Sequence, residues 1–597
     1  ILPLAWAMPI LTSYDTHQPA GEFIKAVFSL LAPVERERIE LTILSIPDVV
    51  LGSRREAGEH IRNLLLGCLT HADLVTTQAR HLLKNLQAAN AIPLNEPPVK
   101  FTGVESRPYG EVEYLSDEGV PVDAEPNQRV REFERPVKEF ADRYLNSVPT
   151  LEEVVAIFPA LQILGEALSN SEVDGVHPKQ CDYAWGILTA ACARAARCDE
   201  LSCEEGAGAF VKEILLRASL HPNPVHHPDS DAQFDEFPSW GSPSARIEAA
   251  EGLIVLARNT TCATDEVLHA IEQLSNDPVP SVRYQVARQL NTLYQTNPKR
   301  MWGMINRLCR EEKSRGVLQG LLSGPFSRIA NVHPDRIAVL TKEVFDRVSE
   351  GPGARKVRDL CVDIFTSLYI WRDHAKCREN IFQIIEDTFV NPDDVHQILC
   401  HIRNPLTHGP VYPCDPVQDG IRQRAFELLA TLLRLAHDGL RSIEKENRNT
   451  PSNVWSEADQ EKAKSLVRLI DGIGNEIYFA SGAFDSKKQT GSGQKRSSMN
   501  EKMERFYKEA GSILIELADV GIPSLTHHLL ETLEIFIPLD PPGVFLRIGR
   551  VIRAGQQGGY QYESLAADMM VRLVERYLAE YRTVLRENDE CRRTLLE

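Results

Sequence analysis

The chain has 597 residues, is 43% hydrophobic and 25% charged, and carries 66 Lys and Arg against 84 Asp and Glu, a formal charge of −18. This is the composition of a soluble folded protein of roughly four domains, or fewer if the fold is an extended repeat. A field of that sign repels phosphate backbones and anionic membranes, which excludes both as partners of the general surface and leaves only a local basic patch to receive them.

The first segment, ILPLAWAMPILTSYD, is apolar but lacks a basic flank and is too short to span a bilayer, so no membrane association is expected. It lacks an initiator Met, and the final ENDECRRTLLE stops in a helical pattern without a Gly or Pro stop signal. Both ends read as cut from a larger polypeptide. Residues 22–46, 61–89, 151–170 and 183–198 place apolar side chains at i, i+3, i+4 and i+7, the helical period. Strand-like alternation is confined to 100–115, KFTGVESRPYGEVEYL, a small hairpin or a loop.

Three stretches interrupt the helical text: 92–137 with seven prolines and acidic residues, 221–243 rich in Pro, His and Asp, and the Gly/Ser/Lys-rich 482–498. They predict an N-terminal helical region (1–91), a Pro-rich acidic linker (92–137), helical repeats (138–220), a His/Asp/Pro-rich loop (221–243), a main repeat array (244–481), a flexible basic linker (482–498) and C-terminal helical repeats (499–597). Twelve cysteines are too dilute for a disulfide scaffold, and Cys361 and Cys400 sit in apolar helical runs. They read as reduced, mostly buried thiols of a cytoplasmic protein.

Laid over each other, SPSARIEAAEGLIVLA (242–257) and VPSVRYQVARQLNTLY (279–294) match at Pro243/Pro280, Ser244/Ser281, Arg246/Arg283, Ala250/Ala287, Leu253/Leu290 and Leu256/Leu293, a constant offset of 37 residues. Between them TDEVLHAIEQLSN (264–276) predicts a helix with Thr264 as N-cap and Val267, Leu268, Ile271 and Leu274 on its apolar face. A period of this length holding two helices is the mark of a helical solenoid.

These residues resemble HEAT repeats: an Asp277-Pro278 turn, Val282-Arg283, a small Ala287 at the helix crossing, then Leu. The resemblance implies an Asp/Arg ladder between neighbouring repeats and gives structural roles to Arg246, Asp277, Pro278, Arg283 and Ala287, with Arg358 and Arg422 opening later, weaker copies. GIPSLTHHLLETLEIF (521–536) keeps the Pro-Ser and loses the Arg. The expected fold is all-α, a right-handed α-solenoid of HEAT-like helix pairs with long interhelical loops.

No stretch announces a reaction, and no cofactor is expected. His226, His227, Asp229 and Asp231 are ligand types that zinc or manganese accepts, but they lie between prolines with no helix to fix their spacing, so a solvated loop is the preferred reading. QTGSGQKRSS (489–498) misses the phosphate-loop pattern, and Cys400-His401 with His408 lacks any signature of a nucleophilic dyad. Lys299, Arg300, Arg307, Arg310, Lys313 and Arg315 surround Trp302, a pattern nucleic acid or an acidic partner would want, although Glu311 and Glu312 interleave as surface pairs. Trp240 and Phe237, and Tyr369 to Trp371, are further partner-anchor candidates.

The favoured function is non-catalytic protein binding. Through text such as ARIEAAEGLIVLA and SRGVLQGLLSGP, the chain also resembles the C-terminal repeat arm of large bacterial STAND or NACHT-like ATPases, some of which sense phage proteins in antiviral defence. That resemblance implies a cytoplasmic sensor or autoinhibitory arm with a protein partner, phage or otherwise foreign, and ATP hydrolysis outside this chain. A constitutive scaffold and a nucleic-acid-binding helical repeat, even a base-excision enzyme of HEAT-like build, are the rivals.

Overall fold

The computed structural model describes residues 7–12, 17–49, 55–93, 111–169, 175–241, 243–348, 350–386, 392–408, 416–448, 454–484, 501–557 and 565–596. Among them every regular element is helical. The chain divides into two compact units, 1–111 and 112–597. The first contains α1 (His17–Val27), α2 (Pro33–Val49), α3 (Arg55–Gly67) and α4 (Thr77–Ala88). Its own core includes Ile24, Phe28, Ile39, Ile43 and Leu83. Glu40 is fully buried there because its carboxylate accepts the backbone N–H groups of Val75 and Thr76, at 2.6 and 2.7 Å, and so secures the entry to α4.

The second unit is an α-solenoid. Its outer helices are α6 (Leu151–Ser169), α8 (Gly206–Ala218), α11 (Asp265–Leu274), α13 (Pro298–Glu311) and α15 (Pro334–Arg347). Each pairs with an inner helix: α7 (Pro178–Ala195), α10 (Ala245–Leu256), α12 (Pro280–Ala287), α14 (Arg315–Leu321) and α16 (Ala354–Arg372). The inner helices touch in series, and α5 (Glu125–Arg143) packs against the first of them. An inner helix is flanked on both sides as well as by its own partner, so its sequence turns apolar all round. In α10 every residue except Arg246 is buried, Glu248 and Glu251 included.

Thr264 caps α11 by accepting from the Val267 N–H, and Val267, Leu268, Ile271 and Leu274 are buried. The stripe Val282, Val286, Leu290 and Leu293 is buried too, but the α-helix stops at Ala287 and a 3-10 turn carries Leu290–Tyr294.

Several expectations need correction. Within the stretch read as a linker, Glu111–Asp117 and α5 are helical. Pro126 falls in the first turn of α5, where a missing N–H costs nothing, and burial of Val130, Val137 and Phe140 holds the helix through Pro136. The rest of the hairpin candidate and nearly all of 482–498, with QTGSGQKRSS, lie outside the described residues. The thiols are not all reduced: Cys203 and Cys262 form a disulfide, their Cα atoms 5.1 Å apart. Spacing could not reveal it, because the two meet only once α10 packs on α8. Among the described residues no helix is long and apolar enough to cross a membrane.

Candidate functional site

Each repeat arginine makes an ion pair with a carboxylate further along the chain. Arg246 on α10 reaches Asp277 in the turn before α12, its Nε 2.7 Å from Oδ2 and its Nη2 3.2 Å from Oδ1. Arg283 on α12 does not return to the Asp277 carboxylate. It donates through Nε and Nη2 to both oxygens of Glu312, at 2.8 Å each, in the turn before α14, and Nη1 goes to the carbonyls of Asp277 and Pro278. Arg358 pairs likewise with Asp394, which is 1% exposed and also receives Arg355 at 2.7 Å. Ala287 is fully buried at the end of α12.

Glu312 was legible in principle. It lies 35 residues after Asp277 and accepts the N–H of Ser314 just as Asp277 accepts that of Val279. Loss of the Asp-Pro text hid it. A deeper rung joins α7 to α10: Arg194, nearly buried, lies 3.3 Å from Glu248 and 3.4 Å from Glu251, which also receives Arg197 at 2.7 Å. Burial pushes the Glu251 carboxyl up, yet the combined pull of Arg194, Arg197 and Arg288 leaves it below its ordinary value.

Residues 221–241, expected as a solvated loop, are largely exposed, but they are pinned to the repeats as a strap. Helices α8 and α10 pack directly on each other, so the detour between them is not needed for connection. Arg246 holds the start, its Nη groups donating to the carbonyls of His221, Pro222 and Pro224 at 2.7, 3.1 and 2.7 Å. A short helix, α9 (Asp231–Glu236), then lies across α12, α14 and α16. Asp235 accepts from Ser314 Oγ at 2.6 Å and from the Gly316 N–H at 3.1 Å, and its carbonyl accepts from Gln319 Nε2 at 2.7 Å. Glu236 accepts the Gly353 N–H at 2.6 Å, and its carbonyl accepts from Lys356 Nζ at 2.7 Å.

Phe234 meets Tyr284 edge-on, with Trp240 on the same ring, and Phe237 lies under the Lys356 ammonium at 3.7 Å. Two glycines make room for the strap. A Cβ on Gly316 would sit 2.7 Å from the Phe234 ring, and one on Gly353 would sit 1.9 Å from the Asp235 carbonyl, at a φ of +70°.

Between the strap, which supplies most of its lining, and α10 and α12 a groove of about 400 Å³ stays open. Phe234, Trp240, Ile247 and Pro280 give it an apolar, partly aromatic floor, and His226 and Asp231 a polar rim. Of the four metal-ligand candidates only these two meet, His226 Nε2 lying 3.1 Å from both Asp231 oxygens. The 3-10 turn Pro228–Ser230 folds Asp231 back beneath His226 and leaves His227 and Asp229 pointing to solvent. Among the described residues no three His, Cys, Asp or Glu side chains converge to hold a metal ion.

The basic cluster around Trp302 is spread over separate structural contacts. Arg300 pairs with Asp265 at 2.8 Å, Arg307 donates to the carbonyl and hydroxyl of Ser275, and Arg310 pairs with Glu343 at 3.1 Å. Arg315 donates to the Glu350 carbonyl, while Lys313 is exposed. Trp302 is buried, with the Arg336 guanidinium stacked on its face at 3.9 Å and His333 edge-on. It is a packing residue. Tyr369 is buried with its hydroxyl on Glu427, and Trp371 packs against His408. His401 bonds Asp363 at 2.7 Å, and burial with Asp363 and Glu476 pushes the Cys400 thiol up, the reverse of an activated nucleophile.

No family model matches the chain, and no curated protein does. Among solved structures, a crystal structure of Kap121p bound to Nup53p aligns with 99% of this chain and 73% of that one at 10% identity, with a TM-score of 0.14. At that identity and TM-score the match bears on neither fold nor function.

Proposed function

We propose that the chain is a non-catalytic protein-binding α-solenoid that recognises a partner polypeptide through the groove beside its strap. The observation that carries this reading is the groove itself. It is open, aromatic at its floor and polar at its rim, the composition that seats anchor side chains at protein interfaces. The neighbouring charged residues are engaged in rungs between repeats. The test uses a partner isolated on the wild-type chain and measures its affinity for two variants. Trp240→Ala is expected to weaken binding at least tenfold, whereas Arg310→Ala, on an outer helix, leaves it unchanged. Equal affinities for all three chains would overturn the groove as the recognition site.

The finer role, a sensor or autoinhibitory arm in a larger bacterial signalling ATPase with a foreign protein as trigger, is supported by the sequence resemblance. It predicts that partner binding changes ATP hydrolysis by the intact polypeptide. A partner that binds without any such change leaves a constitutive scaffold.

A further inference from the structure

The bed beneath the strap has a chemistry of its own. Toward Asp235 and Glu236 it presents donors: Ser314 Oγ, the Gly316 and Gly353 N–H groups, Gln319 Nε2 and Lys356 Nζ. Each points at a carboxylate or carbonyl oxygen of the strap. Three of these donors, Ser314 Oγ and the Gly316 and Gly353 N–H groups, take side-chain carboxylates, so the bed fits a segment with Asp and Glu at these places, while Gln319 and Lys356 take backbone carbonyls that any segment offers. Aromatic seats flank it, Tyr284 for Phe234 and Lys356 for Phe237. The strap is held there by exchangeable polar contacts and one buried ring, and Phe237 remains 64% exposed.

From this we infer that residues 234–237, Phe-Asp-Glu-Phe, occupy in cis a docking site for an acidic-aromatic segment of a partner polypeptide, which displaces the strap when it binds. The inference rests on the protein-binding reading and adds the class of partner. The strap makes the site conditional: a partner must match its carboxylates and rings to compete, and the apparent affinity falls by the fraction of time the strap is docked.

The experiment uses the whole chain and a fluorescent peptide of residues 230–240, beside a control peptide with Asp235→Asn and Glu236→Gln. A chain carrying Asp235→Ala and Glu236→Ala, neither of which lines the groove, releases its own strap. It is expected to bind the acidic peptide at least tenfold tighter than wild type does, with the control binding neither chain. Equal affinity of the acidic peptide for both chains overturns the inference.

Hydrogen exchange on the wild-type chain gives a second readout that does not depend on the variant folding. Gly316 and Gly353 amides that exchange at least tenfold faster than Leu253 in α10 show the strap lifting without global unfolding. Exchange as slow as that of Leu253 makes the strap a fixed brace and refutes the inference. A partner bound equally by wild type and the released chain, yet weakened by Trp240→Ala, refutes it while leaving the groove reading intact.

Discussion

Replacing Arg246 by Met should destabilise the solenoid far more than replacing Arg310 by Ala, although each removes one arginine from one ion pair. The Arg246 and Asp277 side chains are 13% and 9% exposed, so deleting the cation strands a nearly buried carboxylate. Losing one partner of such a pair costs about 3–5 kcal/mol. Asp277 keeps the Val279 N–H at 2.8 Å, and the carbonyls released at the start of the strap can take up water, which places the expectation near the lower end, about 3 kcal/mol. Arg310 is 62% exposed against Glu343, and a pair of that kind is worth under about 1 kcal/mol.

Urea denaturation followed by circular dichroism gives the comparison. Hydrogen exchange at Arg246, whose N–H donates to the Asn223 carbonyl, reports any local uncoupling that a repeat array allows. Asp277→Asn should recover part of the loss when combined with Arg246→Met, because the uncompensated charge is gone. Equal costs for Arg246→Met and Arg310→Ala would refute the ladder as a stabilising device.

Burial, reinforced by Arg246 and opposed by Asp182, lowers the pKa of His221 at the head of the strap. The folded state therefore disfavours the imidazolium, and this contribution to stability is present above the unfolded value near 6.5 and declines as pH falls below it; the protection factor at Asn223, whose N–H donates to His221 Nδ1, should fall between pH 7 and about 5.5 once the intrinsic pH dependence of exchange is divided out, and a protection factor that stays constant there would contradict it. Cys262→Ser opens a loop closed over 59 residues, for which chain entropy allows about 4 kcal/mol, so a drop of about 2–4 kcal/mol is expected in denaturant melts, with a Cys203–Cys262 cross-linked peptide recovered from non-reduced wild type. Trp302→Ala should cost about 3–5 kcal/mol as a buried-ring deletion and leave partner affinity unchanged in the folded fraction; a loss of affinity without loss of stability would restore Trp302 as an anchor.

The helical period, the 37-residue offset and the cap at Thr264 were legible in the sequence because they are local. Apolar spacing, a capping hydroxyl and a repeated Pro-Ser-x-Arg act over one or two turns and need no distant partner. By themselves they determined an all-helical repeat protein and marked Arg246 and Arg283 as structural. Which carboxylate each arginine takes was decided by how one repeat stacks on the next, and so the pairings of Arg283 with Glu312 and of Arg358 with Asp394 emerged only in the tertiary structure. The same holds for the bridge between Cys203 and Cys262 and for the fate of the His/Asp/Pro-rich stretch. Its composition is that of a solvated loop, but Asp235 and Glu236 find backbone donors 81 and 117 residues away, and no local pattern encodes a contact at that separation. Local order was written in the chain; the strap, its bed and the groove beside it exist only where stacking brings those distant donors into line.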